Sequence, residues 1–176
     1  MTRFLLVLFL GIFSGFAQME MPNTNGAEQP FQDGEWFQLR LHYGPFNASY
    51  ATFSINRELL GDKTVFHAKG FGETTGIARW FFKVEDYYES YFDEKTGQPY
   101  KFIRDINEGG YTKNVEIEFD HDKATAQVND KKKGEIKSIP IENGVQDLIS
   151  SFYYLRNFYP KDQIQVNESF DINMFF

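Results

Sequence analysis

From residue 35 onward, apolar and polar positions alternate with a period of two. In 35–43, Phe37, Leu39, Leu41 and Tyr43 alternate with Gln38, Arg40 and His42, the pattern of a strand with one buried face. Residues 46–57 resume it with Ala51, Phe53 and Ile55, and 63–71 predict a third strand around Val65, Phe66 and Ala68. A fourth strand over 84–92 and a fifth over 99–107 are joined by "DEKTGQP", whose Asp, Gly and Pro suit a hairpin reversal. On the fifth, Tyr100, Phe102 and Ile106 share a face; on a sixth, 111–119, Tyr111, Val115, Ile117 and Phe119 do so. Two short strands, 124–129 and 135–141, flank the charged tip "NDKKKGE". The succession is a meander.

Two stretches break the period. "TTGIARWFFK", 74–83, lacks alternation and clusters Ile77, Trp80, Phe81 and Phe82, which suits a short helix or wedge laid against the sheet. In 143–159 the residues Val145, Leu148, Ile149, Phe152, Leu155 and Tyr159 recur at spacings of three and four, with Asn143 as cap and Pro160 as stop. That helix is amphipathic, and the surface available to its apolar stripe is the concave face of the sheet. At the end of the chain Phe170, Ile172, Met174 and Phe176 alternate once more. A strand stopping there would expose an apolar edge, so further C-terminal strands are expected beyond it. The fold class expected is mainly β: a curved antiparallel meander or half-barrel over 35–176, one helix on its concave face and a short helical wedge.

The beginning of the chain reads differently. Arg3, the run "FLLVLFLGIF" and the small residues before Gln18 form a secretory signal over 1–17. The run is shorter than the ~20 residues a membrane-spanning helix takes, and no later segment approaches that length. The location expected is therefore periplasmic or secreted. Residues 18–34, polar and rich in turn formers, read as a flexible leader. Cysteine is absent, which excludes disulfides, a thiol nucleophile and a cysteine-linked lipid anchor. Without residues 1–17 the formal charge moves from -7 to -8, because only Arg3 is lost; an acidic chain is a poor partner for nucleic acid. Phe, Tyr and Trp sum to 32 residues, enough either to fill a large core or to line a cavity for an apolar ligand.

Candidate chemistry is sparse. "DINEGGYTKNVE", 105–116, places Asp105, Asn107, Gly110 and Glu116 where a helix-loop-helix calcium loop has its first, third, sixth and twelfth residues. Its flanks carry the period of strands, Gly109 lacks the oxygen wanted at the fifth place, and Lys113 stands at the ninth, so a hairpin turn is expected and no metal. His42, His67 and His121 show no zinc spacing. Asp86, Glu89, Asp105 and Glu108 can supply paired carboxylates, but alternating acids on a solvated strand face are the ordinary outcome. No Gly-x-Ser-x-Gly elbow occurs; neither catalytic residues nor cofactors are expected. Lys131, Lys132 and Lys133 can meet an anionic head group or simply keep a turn solvated. The aromatic cluster stands out: Trp80, Phe81, Phe82, Phe152 and Tyr153, with Tyr154, lie on the two segments outside the strands. They either line a lipophilic pocket or plug a half-open sheet.

"LHYGPFNASYATFSI", "GETTGIARWFFKVEDYYESYFD", "KFIRDINEGGY" and "GVQDLISSFYYLRN" together resemble an envelope family of Gram-negative bacteria, domain of unknown function 3108, over residues 37–176. The resemblance implies a secreted, mostly antiparallel sheet protein that continues for several strands, and transfers no catalytic residue. A curved sheet holding a helix is also similar to periplasmic carriers of lipids and lipoproteins, although fold likeness alone is a weak warrant. The function expected first is binding a lipophilic ligand, a lipid or a lipoprotein acyl chain. A non-catalytic envelope structural or protein-interaction module comes second, and hydrolysis a distant third.

Overall fold

The computed structural model describes residues 30–159, 164–167 and 169–176. The expected signal peptide, 1–17, lies outside the described residues, as does the leader up to residue 29. The strands are β1 (Trp36–Tyr43), β2 (Phe46–Leu60), β3 (Lys63–Thr74), β4 (Val84–Asp93), β5 (Pro99–Glu108), β6 (Tyr111–Asp120), β7 (Thr125–Asp130) and β8 (Glu135–Pro140). They form one sheet in chain order with every pair antiparallel, so β1 and β8 are its edges among the described residues. The helices are α1 (Gly76–Phe81), between β3 and β4, and α2 (Leu148–Phe158), after β8. The meander, the half-barrel character and the helix on the concave side are as the alternation predicts. No helix among the described residues is long and apolar enough to cross a membrane.

Register explains the seat of α2. Phe53 stands opposite Gly70 and Gly70 opposite Tyr88, which puts the three on the concave face. Along β3 that face runs Phe66, Ala68, Gly70, tapering toward no side chain at all. A Cβ on Gly70 would lie 2.9 Å from Ile149 Cδ1, so the missing side chain is what lets the helix approach the strand. Phe152 sits 5.7 Å from the Phe37 ring and 5.6 Å from Phe53. Tyr153, fully buried, meets Phe31 at 5.0 Å and Phe92 at 5.7 Å. Ile55, Phe66, Phe102, Ile117 and Ala126 complete this core from the sheet side.

The helix starts later than its apolar spacing implies. Its cap is Asp147, not Asn143. Residues 143–147 are held away from helical geometry by Gly144 at φ +76° and by a bridge from Gln146 to Met174. Asp147 Oδ1 accepts from the amides of Ile149 and Ser150, both at 2.8 Å, while Ser150 Oγ accepts from the Asp147 amide at 2.9 Å. This is a complete capping box. Asp147 Oδ2 also accepts from Ser90 Oγ of β4 at 2.6 Å, so one buried carboxyl both starts the helix and fastens it to the sheet.

Three further expectations are corrected. The leader does not reach residue 34: Phe31 is buried against Phe66 and Tyr153, and Arg156 binds the Pro30 carbonyl at 2.8 Å and Glu35 at 2.6 Å. Leu39 and Leu41 do share a face with Phe37, yet they are exposed, because α2 ends its cover at Phe37. The C-terminal segment is no strand. It makes a single parallel bridge, and Phe175 packs inward against Phe119 at 6.3 Å while Met174 and Phe176 are exposed.

Burial pushes the Asp147 carboxyl up to about 6 against the opposing hydrogen bonds from Ser90, Ser150 and Ile149. Its folded value is thus above that of an exposed Asp. The stability this contributes is complete below about pH 4 and is lost as pH rises through about 6. Asp147→Asn keeps an acceptor oxygen and does not titrate. Stability of the wild type measured against this variant falls by about 3 kcal/mol between about pH 4 and about pH 8. Urea unfolding midpoints across that range check this; a difference flat in pH contradicts it.

Candidate functional site

Antiparallel order places the connections at two ends of the sheet. The β1–β2, β5–β6 and β7–β8 turns and α1 share one end; the β2–β3, β4–β5 and β6–β7 turns share the other. Helix α2 covers the concave face nearer the second end. The half toward α1 is not covered by it, and this half is the candidate site.

Its wall on β1 is apolar and open, with Leu39 55% and Leu41 64% exposed. On β3 the taper continues to Gly72, where a Cβ would find no atom within 4 Å. The space at Gly70 is filled by Ile149; at Gly72 it is filled by none of the described residues. In the floor, Asp86 is opposite Gly72 and Ile106 opposite Asp86. Asp86 is only 7% exposed and accepts from the Asn107 amide at 3.1 Å. Burial pushes its carboxyl above the usual Asp range, and the neighbouring Glu108 pushes the same way, while Arg104 and the amide oppose. Burial raises the Tyr88 hydroxyl as well. Arg104 Nε is buried with no acceptor among the described residues.

Across β6, β7 and β8 the same half forms a cleft of about 300 Å³. Val115, Ile117, Val128 and Ile139 make its floor, and Phe175 and Phe176 form one wall. Lys113, Asp130, Lys133, Glu135 and Lys137 ring it. An apolar floor inside a rim of both charges is a surface for an amphiphile rather than for a wholly polar molecule.

The aromatic residues singled out by sequence do not meet in one pocket. Phe152 and Tyr153 belong to the packed core under α2, and Tyr154 stacks on Phe158 at 4.5 Å. Trp80, Phe81 and Phe82 lie at the α1 end, 90%, 85% and 54% exposed. α1 is short and has no buried residue. It is held by its ends: the Thr75 amide donates to the Ala48 carbonyl at 2.9 Å and the Gly109 amide to the Lys83 carbonyl at 2.7 Å. Gly109 and Gly110, at φ +59° and +94°, make the β5–β6 turn, and a Cβ on Gly109 would collide with the Phe82 ring.

The four acids separate by face. Asp86 and Glu108 come together on the concave side, where Asp86 is buried rather than solvated. Glu89 faces the convex side, 2.7 Å from Nε2 of the buried His67, which stacks on Tyr91 at 3.9 Å; Asp105 is exposed there. His42 is exposed, and His121 Nε2 donates to the Pro99 carbonyl at 2.7 Å. Of the cleft residues, Val128, Ile139 and Phe175 went unmarked in the sequence, and Phe176 was marked only as one of an alternating set. Alternation shows which face they share but not that α2 stops short of them.

A family model described as "Protein of unknown function (DUF3108)" matches residues 38–176. The chain belongs to this family. The DUF3108 match takes in all but the first two residues of β1, both helices and the whole uncovered half. No match was found among curated proteins or among solved structures.

Residues 105–116 span the end of β5, the turn and the start of β6, so the flanking helices of a calcium loop are replaced by strands. Among the described residues no cluster of three acidic or histidine ligands forms. Calorimetric titration of calcium is expected to give only the heat of dilution. A saturable one-site isotherm abolished by Asp105→Ala contradicts the hairpin reading.

Proposed function

We propose that this protein is a non-enzymatic binder of a lipophilic ligand, a lipid or acyl chain, working in the periplasm of a Gram-negative bacterium. The observation that carries the reading is the apolar-floored cleft of about 300 Å³ in the uncovered half of the concave face. That size is at the lower end of small-molecule sites, ~300–1,000 Å³. Leu39, Leu41 and Gly72 extend open apolar surface in the same half. The buried carboxyl of Asp86 and the half-buried Tyr88 and Arg104, whose Nε is buried, offer polar contacts to the end of an otherwise apolar molecule. The basic and apolar start of the sequence supports export. A protein-interaction role is the second reading, favoured by the edge strand β8, which has no further partner strand among the described residues.

The test is uptake of a fluorescent fatty acid, together with native mass spectrometry of protein taken from the periplasm. Val128→Trp fills the cleft and weakens uptake roughly tenfold or more, as a blocked pocket does. Tyr87→Ala, on the convex face, leaves uptake unchanged. Urea unfolding of each variant separates a blocked cleft from a damaged fold. Absence of co-purifying lipid together with equal uptake by Val128→Trp and wild type overturns the reading, and a partner protein retained in pull-downs then favours the second.

A further inference from the structure

The end of the sheet that carries α1 presents apolar side chains to solvent from several separate connections. Phe46 is exposed on the β1–β2 hairpin, Ile77, Trp80, Phe81 and Phe82 on and after α1, and Tyr111 at the β5–β6 turn. These points are neighbours. The amide of Thr75 binds Ala48, next to the first hairpin, and Phe82 lies over the Gly109 turn that leads into Tyr111. The β7–β8 tip joins them, since the Lys131 amide donates to the Asn114 carbonyl at 3.0 Å and Lys132 Nζ bonds the Thr112 hydroxyl.

Burial of adjacent core residues does not explain this exposure. Trp80 at 90% and Phe81 at 85% stand almost wholly in water on a helix with no buried residue. Exposed aromatics gathered at one extremity mark a contact with something apolar. They are tips on several connections, and Trp and Tyr, with apolar rings and one polar atom, suit the boundary between head groups and acyl chains.

Charge selects the kind of surface. The connections at the α1 end, residues 44–45, 75–83, 109–110 and 131–134, contain Arg79, Lys83, Lys131, Lys132 and Lys133 and no acidic residue. Those at the opposite end carry Asp62, Glu94 and Asp122, with Lys95 and Lys123. Strand-borne carboxylates temper the basic set: Arg79 reaches Glu85 at 2.5 Å and Glu73 at 3.6 Å, Lys83 reaches Glu85 at 2.7 Å, Lys131 reaches Glu116 at 2.6 Å and Lys133 reaches Asp130 at 3.6 Å. Lys132 has a hydroxyl, not a carboxylate, as its side-chain partner. The connections at this end are thus more basic than those opposite, and they are the ones that carry the aromatics.

We propose that this end of the sheet docks onto an anionic lipid surface, with Trp80 and Phe81 entering the boundary between head groups and acyl chains. The cleft is not required for this contact, so its failure and that of ligand binding are separate results. Docking would bring the uncovered concave half to the membrane, since both belong to the α1 end.

The test is co-flotation of the full chain with vesicles of phosphatidylcholine and phosphatidylglycerol, alongside Trp80 fluorescence in a Trp36→Phe background. The protein floats with the vesicles, Trp80 emission shifts to the blue, and brominated acyl chains quench it. Trp80→Ser with Phe81→Ser, at positions almost wholly exposed to solvent, reduces binding roughly tenfold or more with an unchanged unfolding midpoint. Lys132→Glu weakens binding to these vesicles and leaves binding to pure phosphatidylcholine unaltered. Val128→Trp floats as wild type does. Flotation of the double serine variant equal to wild type, or Trp80 emission unmoved by lipid, overturns the proposal. Capture of a protein partner through Trp80 with no vesicle binding overturns it equally.

Discussion

The contact on which the architecture turns is the buried carboxyl of Asp147. A half-barrel of eight strands has one side packed and one side hollow, and the hollow must be filled where its apolar side chains are largest. Helix α2 does this, but a short amphipathic helix has little stability alone. Its first turn is completed by the capping box at Asp147, and Ser90 of β4 holds the same carboxyl from the sheet. Local helix formation and long-range docking therefore share one set of atoms. Burying an acid there is costly, and three hydrogen bonds offset the cost.

The other constraint is the taper of the inner face of β3. Phe66 and Ala68 are buried, Gly70 admits Ile149, and Gly72 is left open. One strand thus sets where the filled half ends and the unfilled half begins. Arg156 adds a clasp from the helix to the chain before β1, lying over the Phe31 ring at 5.6 Å while pairing with Glu35. The core is consequently closed at its β1 side by residues that look unlike core in the sequence.

Alternation made the strands legible, since a half-buried strand must repeat every second residue; Phe102 and Ile106, or Val115, Ile117 and Phe119, announce their face unaided. The amphipathic stripe of α2 located its helix for the same reason. What stayed hidden depends on partners distant along the chain. Asn143 resembles a cap by composition, but Asp147 is the cap because Ser90 stands opposite it. Phe31 looks like a stray aromatic in a polar leader until Tyr153 and Arg156 are placed beside it. Leu39 and Leu41 obey the buried-face pattern, yet a pattern cannot reveal how far the covering helix extends. The grouping of Trp80 with Phe152 rested on both lying outside strands. Phe152 lies in the hollow and Trp80 at the exposed end of the sheet, because α1 is a strand-to-strand connection and α2 is a plug.

Among the described residues no hydrogen bonds join β1 to β8. A closed barrel has its girth set by strand number and stagger; an unclosed one has no such gauge. Here the spacing between the two margins is kept by what stands inside, with α2 acting as a strut under β2, β3 and β4 and Phe175 as a smaller one under β6. The span of the trough is therefore adjustable by side-chain volume on those two props, without breaking a single rung of the ladder.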